Sequence, residues 1–249
     1  MLPPMTPALV LVHGGSHAAD CWEPTIARLN ELAPHVPVLA VDLPGRRGEP
    51  GDLGRLTIAE CVSSVVAQID RAGLDRVVLV GHSMAGITVP GVAEALGPER
   101  LDRLVFLSCS IPPEGKAIVD TISGALRFVA RRRARKGGIS RPMPKMVAKR
   151  AFCNGMSPDQ TAFTLARQYP DSSTVIVEKV HRNLPPVART WILLKQDRAL
   201  SPAKQRGFIE NLGGVDEVLS LDTCHNAMIS RPDDLAKILL STLPSATPC

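Results

Sequence analysis

The sequence is poor in aromatic residues and has no long apolar run. Aromatic side chains make up only 3% of the 249 residues, so an apolar pocket has to be built mostly from aliphatic side chains and methionine. No apolar stretch reaches the roughly 18 residues that a membrane-spanning helix needs. The first apolar segment, Ala8 to Val12, is too short for the apolar region of a signal peptide. We therefore expect no membrane span and a cytoplasmic location.

The sequence also lacks the cysteine spacings of a metal site or a disulfide framework. Its six cysteines form no C-x-x-C pair, and in an intracellular chain they are interpreted as reduced, scattered residues. The net charge of +5 is modest for this length and does not by itself indicate nucleic acid. We predict no metal, no organic cofactor and no nucleic-acid partner.

Short apolar runs alternate with amphipathic segments along most of the chain. Thr57-x-x-Glu60 is a capping box that begins one helix, and Gly73 ends it. Unbroken apolar strands that alternate with helices predict an α/β fold, with a mostly parallel sheet of about six strands and helices on both faces. The predicted strands are 8–13, 36–41, 76–81, 104–107, 191–194 and 215–221, and the predicted helices are 21–33, 57–72, 84–96, one beginning at Pro202, and 232–243.

Residues 111–184 break this alternation. They lack short apolar strands and are basic, helical and interrupted by prolines. We predict a single domain over 1–249, in which 111–184 is an insertion that forms a cap over the pocket. The cap residues expected to line the pocket are Phe128, Phe152, Met156 and Phe163.

The cap also carries a basic run, residues 131–136. The simplest interpretation is the solvated face of a cap helix. An anionic substrate or a membrane surface is the alternative, and the absence of interleaved aromatic residues argues against single-stranded nucleic acid.

The sequence Gly81-His82-Ser83-Met84-Ala85 follows an apolar strand and precedes a helix. This is the layout of a nucleophile elbow, G-x-S-x-G, with alanine in the last position. Small residues on either side of the serine let the strand and the helix approach closely. We predict that Ser83 is a nucleophile.

A serine hydroxyl needs a base to take its proton and a third group to hold that base. Asp197 follows the fifth predicted strand and His225 follows the sixth. The carboxyl ends of parallel strands meet at one edge, and the order Ser, Asp, His is the order of this elbow fold. We predict that His225 is the base and Asp197 the acid that orients it; Asp222 is a competitor that is interpreted as a turn residue.

The developing oxyanion requires two backbone N–H donors. One is predicted at Met84, directly after the nucleophile, and the other at Gly15 in the glycine-containing loop after the first strand. Gly14, Ser16 and His17 lie where the pocket wall is expected.

Four segments in this order, His13-Gly14-Gly15, the elbow, Asp197-Arg198-Ala199 and His225-Asn226, resemble the α/β-hydrolase fold superfamily. The segment around Trp22, the turn 42–45 and the block 224–228 are similar to the small esterases of the methyl-esterase and hydroxynitrile-lyase group. The resemblance spans the chain except for 111–184. It implies a serine hydrolase that cleaves small-molecule carboxylic esters through an acyl-enzyme.

Two positions bear on the choice between hydrolysis and cyanohydrin cleavage. Lyases of the plant type usually carry threonine or asparagine where this chain has Gly14, and often lysine where it has Asn226. Both residues favour hydrolysis, and Ser83 excludes the aspartate nucleophile of epoxide and haloalkane hydrolases. A hydroxynitrile lyase and a non-catalytic ligand-binding protein on this fold remain the alternatives, and perhydrolysis remains open as a side activity.

Overall fold

The computed structural model of the protein describes residues 6–122, 124–135 and 138–244. Its strands are β1 (Ala8–Val12), β2 (Val38–Val41), β3 (Val77–His82), β4 (Leu101–Leu107), β5 (Ile139–Ser140), β6 (Asp171–Ser172), β7 (Ala188–Leu194) and β8 (Glu217–Leu221). Its helices are α1 (Glu23–Leu32), α2 (Ile58–Arg71), α3 (Val89–Arg100), α4 (Ala125–Arg135), α5 (Lys145–Phe152), α6 (Pro158–Ala166), α7 (Pro202–Asn211), α8 (Ala227–Ser230) and α9 (Pro232–Ser241).

Six strands form one sheet in the order β2-β1-β3-β4-β7-β8, and every neighbouring pair is parallel. Alternate residues of each central strand enter two separate apolar clusters. In β1, Val10 and Val12 pack toward α2 and α3, whereas Leu9 and Leu11 pack toward α1 and α9. Because both faces are buried there, β1 is apolar at every position. The predicted fold class is confirmed.

The register brings the carboxyl ends of the central strands to one edge. Val12 pairs with Gly81, His82 pairs with Leu107, and Leu107 pairs with Ile192. The loops that follow β1, β3, β4 and β7 therefore emerge side by side. This edge is where the predicted functional residues lie.

The predicted helix directly after the elbow is wrong in its first turn. Residues Ser83–Ile87 form a 3₁₀ helix, and the α-helix begins only at Val89. The turn packs tightly against the loop after β4, since a Cβ on Gly86 would lie 2.5 Å from the Ser110 carbonyl oxygen. At the other end Gly97, at φ +67°, interrupts α3 next to its predicted last residue.

Residues 111–184, hereafter the cap segment, contain α4, α5 and α6 and lie outside the six-stranded sheet. They also contain an unpredicted pair of short strands, β5 and β6, which are antiparallel. That this segment is a cap within one domain stays a prediction at this point. Across the described ranges no helix is both long and apolar enough to cross a bilayer.

Candidate active site

Ser83 lies in the sharp turn that directly follows β3. Its φ of +53° is in the left-handed region that non-glycine residues rarely adopt. A Cβ on Gly81 would lie 2.8 Å from Val89 Cγ1, so the strand and the helix can approach this closely only with glycine there. The N–H of Ser110 donates to the Ser83 carbonyl at 2.8 Å and holds the turn. Ser83 itself is half-buried.

The structure brings Ser83, His225 and Asp197 into one chain of hydrogen bonds. His225 Nδ1 lies 2.6 Å from Asp197 Oδ2, and His225 Nε2 lies 2.8 Å from Ser83 Oγ. Since an ionised carboxylate only accepts, Nδ1 carries the proton and Nε2 presents its lone pair to the serine hydroxyl. The competitor Asp222 instead accepts from Gln196 Nε2 at 2.9 Å.

Four donors hold the buried Asp197 carboxylate. The backbone N–H groups of Ala199 and Leu200 donate to Oδ1 at 2.8 and 2.7 Å, and Ser108 Oγ donates to Oδ2 at 2.7 Å beside His225. Burial opposes ionisation of Asp197, but the positive charge available on His225 and these hydrogen bonds outweigh it and lower its pKa. The contribution of Ser108 was not predicted from the sequence, although Ser108 follows a strand that ends at this edge.

Two neutral rings pack against the His225 side chain. The Phe152 ring stacks on it with centroids 5.4 Å apart, and the His82 ring lies at 4.7 Å. His82 Nε2 donates to the His225 carbonyl at 3.0 Å, and burial lowers the pKa of His82 well below its ordinary value. Apart from Asp197, the His225 ring therefore packs against uncharged side chains.

His13 orients the peptide between Gly14 and Gly15. Its Nε2 accepts from the Leu43 N–H at 3.1 Å, so Nδ1 carries the proton and donates to the Gly14 carbonyl at 2.8 Å. In a trans peptide the C=O and N–H point in opposite directions, so the Gly15 N–H points away from His13. Among the described residues no hydrogen bond uses this N–H. Burial lowers the pKa of His13 to about 3.

The two predicted oxyanion residues are neighbours. A Cβ on Gly15 would lie 3.3 Å from Met84 Sδ. Gly14 lies against Ser83, since a Cβ there would come within 2.7 Å of Ser83 Cβ and 3.1 Å of His82 Nδ1. Only glycine fits at residue 14 without a shift of the backbone.

His17 is buried and holds the next peptide. Its Nδ1 donates to the Gly15 carbonyl at 2.8 Å, and its Nε2 accepts from Asn226 Nδ2 at 3.0 Å. Burial lowers its pKa, so the ring is neutral and has this tautomer. Asn226, directly after His225, thus supports the loop that carries Gly15.

The cap segment holds Ser16 by both of its backbone groups. Its N–H donates to Asp171 Oδ2 at 2.7 Å, and its carbonyl accepts from the Tyr169 N–H at 3.0 Å. Ser16 is at φ +57°. The Asp171 carboxylate pairs through Oδ1 with Arg46 Nη2 at 2.6 Å, and both side chains are buried. No sequence pattern signalled this ion pair.

The predicted pocket residues of the cap segment lie in different places. Phe152 is buried and also lies 5.9 Å from the His17 ring. The prediction that Phe128 lines the pocket is wrong, because 80% of the residue is exposed. Met156 and Phe163 are half-buried and pack against the apolar cluster near α1 and α9. Their part in a pocket stays a prediction.

A cavity of about 20 Å³ lies beside these loops, with Gly14, Met84 and Asp171 in its wall; neither Ser83 nor His225 lines it. Within the described residues no group of three or more His, Cys, Asp or Glu side chains is arranged to hold a metal ion.

Comparison with known proteins finds hydrolases and esterases by sequence and by structure. The sequence model of the alpha/beta hydrolase family matches residues 9–238. Methylesterase 7 of Arabidopsis thaliana is 28% identical over 251 residues, which cover 93% of this chain and 94% of that protein. A carbendazim-hydrolysing esterase of a Nocardioides species is 31% identical over 118 residues, and the match covers 47% of this chain and 48% of the esterase. The solved structure of an extracellular alpha/beta-hydrolase from a Paenibacillus species superposes with a TM-score of 0.82 at 21% identity, covering 96% of this chain and all of that one.

Proposed function

Because the chain belongs to the alpha/beta hydrolase family, we propose that it is a serine-dependent esterase with Ser83 as its nucleophile. The fold and the esterase relatives support ester hydrolysis as the class of reaction. The finer proposal depends on one observation, the continuous hydrogen-bond chain from Ser83 through His225 to Asp197.

In the first half of the reaction, Ser83 Oγ attacks the ester carbonyl while His225 Nε2 takes its proton. Asp197 fixes the tautomer of the imidazole and stabilises its charged form. The backbone N–H groups of Gly15 and Met84 bind the oxygen that becomes negative in the tetrahedral intermediate. Collapse of that intermediate expels the alcohol, which takes the proton from His225 and leaves an acyl group on Ser83.

In the second half, water attacks the acyl-enzyme and His225 again accepts the proton. A second tetrahedral intermediate collapses to the carboxylic acid and returns the proton to Ser83. The steps require no metal or organic cofactor, because the protein groups supply the nucleophile, the base and the oxyanion donors.

The proposed substrates are carboxylic esters of a small alcohol, with methyl esters foremost. The similarity to a methylesterase over 93% of the chain favours this choice. Two residues of the cap segment contact the site, since Phe152 stacks on the His225 ring and Asp171 accepts from the Ser16 N–H. We therefore propose that residues 111–184 act as a cap over the site within a single domain.

The geometry disfavours the two alternatives, a hydroxynitrile lyase and a non-catalytic ligand-binding protein. Gly14 lies too close to Ser83 for the side chain that plant-type lyases usually carry there, and Asn226 is engaged with His17. A non-catalytic binding protein has no need of an oriented base, whereas here both ring nitrogens of His225 are engaged.

Active-site labelling tests the nucleophile directly. The wild-type protein is treated with a fluorophosphonate, its intact mass is measured, and turnover is followed on p-nitrophenyl esters and methyl esters of graded acyl length. We expect one label per chain and ester turnover. In Ser83→Ala we expect no label and a loss of kcat on the order of 10⁶-fold, as for other serine nucleophiles.

Ser110→Ala is the matched control, because Ser110 contacts the elbow through its backbone N–H. It should label like the wild type. Label that persists in Ser83→Ala would contradict the assignment, and cyanide release from mandelonitrile without ester turnover would favour the lyase. Ligand-induced stabilisation without turnover would favour a binding protein.

A further inference from the structure

The charge of the protein is concentrated in the cap segment. Between Asp120 and Asp159 the sequence has ten Arg and Lys residues and no Asp or Glu. The whole chain has 29 basic and 24 acidic residues, so 19 basic and 24 acidic residues lie elsewhere. The remainder of the protein thus has a net charge of −5, and this one stretch carries +10. Such a separation produces a strong local field on one part of the surface.

The same stretch exposes large apolar side chains. Phe128 on α4 and Met146 on α5 are each 80% exposed, and Ile139 and Val147 are 55% and 50% exposed. Water-exposed side chains of this size, grouped in one segment, are typical of a surface that contacts an apolar phase or a partner.

The two helices repeat one arrangement of charge and apolar surface. Phe128 is preceded by Arg127 and followed, three and four residues later, by Arg131 and Arg132. Residues three and four apart lie on the same helix face, so Arg131 and Arg132 share the face that carries the exposed ring. All of these residues are exposed, and Arg131 additionally pairs with Asp120.

On α5 the same spacing recurs around a different apolar residue. Met146 is preceded by Lys145 and followed by Lys149 and Arg150, and all four are exposed. Each helix therefore presents an apolar side chain with cations at the −1, +3 and +4 positions.

We propose that two exposed patches, 127–132 of α4 and 145–150 of α5, dock the protein on an anionic lipid membrane. An apolar side chain flanked by Arg and Lys matches the interface of such a bilayer, where the side chain enters the acyl boundary and the cations meet lipid phosphates. Nucleic acid offers phosphates but no apolar layer, and α4 and α5 provide one exposed aromatic ring for base stacking. The proposal is independent of the reaction at Ser83.

Vesicle co-sedimentation of the full chain tests the docking. Binding is measured to neutral phosphatidylcholine vesicles and to vesicles with about 30% phosphatidylglycerol, at about 0.05 and 0.5 M salt. We expect binding to the anionic vesicles only, and loss of that binding at high salt. The triple variant Lys145→Gln, Lys149→Gln, Arg150→Gln should lose on the order of 10²-fold in vesicle affinity, from about fivefold per cation.

The apolar contribution is tested with the double variant Phe128→Ser, Met146→Ser, which should bind on the order of 10-fold more weakly although its charge is unchanged. Since every replaced side chain is exposed, thermal melting should show that both variants are folded.

A charge-matched control separates docking from net charge. The triple variant Arg55→Gln, Lys195→Gln, Lys237→Gln removes the same charge from exposed residues outside the cap segment and should bind anionic vesicles like the wild type. Equal loss in both triple variants, equal binding to neutral vesicles, or no binding at low salt would overturn the proposal. Retention on single-stranded DNA or on an acidic carrier protein without vesicle binding would overturn it in favour of that partner.

Discussion

The buried imidazoles around the site predict a steep loss of stability in mild acid. His13 and His82 are fully buried and neutral, and burial lowers the pKa of His13 to about 3 and that of His82 well below its ordinary value. In the unfolded chain both imidazoles titrate near about pH 6.5. Protons therefore bind to the unfolded state first, so stability is complete above about pH 6.5 and falls as the pH decreases below it.

The magnitude follows from the number of protons. His13, with a pKa of about 3, removes about 1.4 kcal/mol per pH unit once the unfolded chain is protonated, or about 3 kcal/mol between pH 6.5 and 4, and His82 adds to this loss in the same direction. That is a large part of a total stability of about 5–15 kcal/mol. His17, whose pKa burial also lowers, adds in the same direction. The lowered pKa of Asp197 acts in a separate window, below the roughly pH 4 at which an unfolded aspartate titrates.

Urea unfolding followed by circular dichroism at about pH 7.5, 6.5, 5.5 and 4.5 measures this slope. His82→Gln keeps an N–H donor for the His225 carbonyl but removes one titrating ring, so the slope should fall by about 1.4 kcal/mol per pH unit. His35→Gln, which replaces an exposed imidazole, is the control and should leave the slope unchanged. A free energy of unfolding that stays flat from about pH 6.5 to 4.5, or an identical slope in His82→Gln, would refute the reasoning.

Two further predictions concern residues that hold the site in place. Ser108→Ala removes one donor from Asp197 Oδ2 and should lower kcat on the order of 10-fold with little change in KM, since a buried hydrogen bond contributes about 1–3 kcal/mol. Steady-state kinetics with an unchanged kcat would contradict the role. Asp171→Asn leaves the Arg46 charge buried without its partner and should cost about 3–5 kcal/mol in urea unfolding. The double variant Asp171→Ala, Arg46→Met should recover stability but keep a lowered kcat, because the Ser16 N–H has lost its acceptor; full recovery of both would show that the ion pair is only structural.

The sheet and the residues at its edge were predictable because their signals are local. Each strand is a short apolar run, and Ser83, Asp197 and His225 each follow such a run directly. Parallel strands then place these residues at one edge without any further information. The first turn after Ser83 was not predictable, because its 3₁₀ form results from contact between Gly86 and the loop after β4.

The contacts made by the cap segment could not be derived from local patterns. Asp171 meets Arg46 and Ser16 across long sequence separations, and nothing in its neighbouring residues marks it as buried. Phe128 was expected to line the pocket but is exposed, because one aromatic residue in a basic helix does not reveal which face of that helix is covered. Ser108 lies between these cases, because its place at a strand end was predictable but its bond to Asp197 was not.

The two hydrogen bonds between the cap segment and the backbone of Ser16 limit how this protein can diverge. Replacing residues 111–184 as a unit would change the surroundings of Ser83 without altering the sheet. The exchange would also remove the Asp171 carboxylate and the Tyr169 amide that hold the loop carrying Gly15. A chimera that receives a foreign segment would therefore have to bring an equivalent acceptor and donor with it.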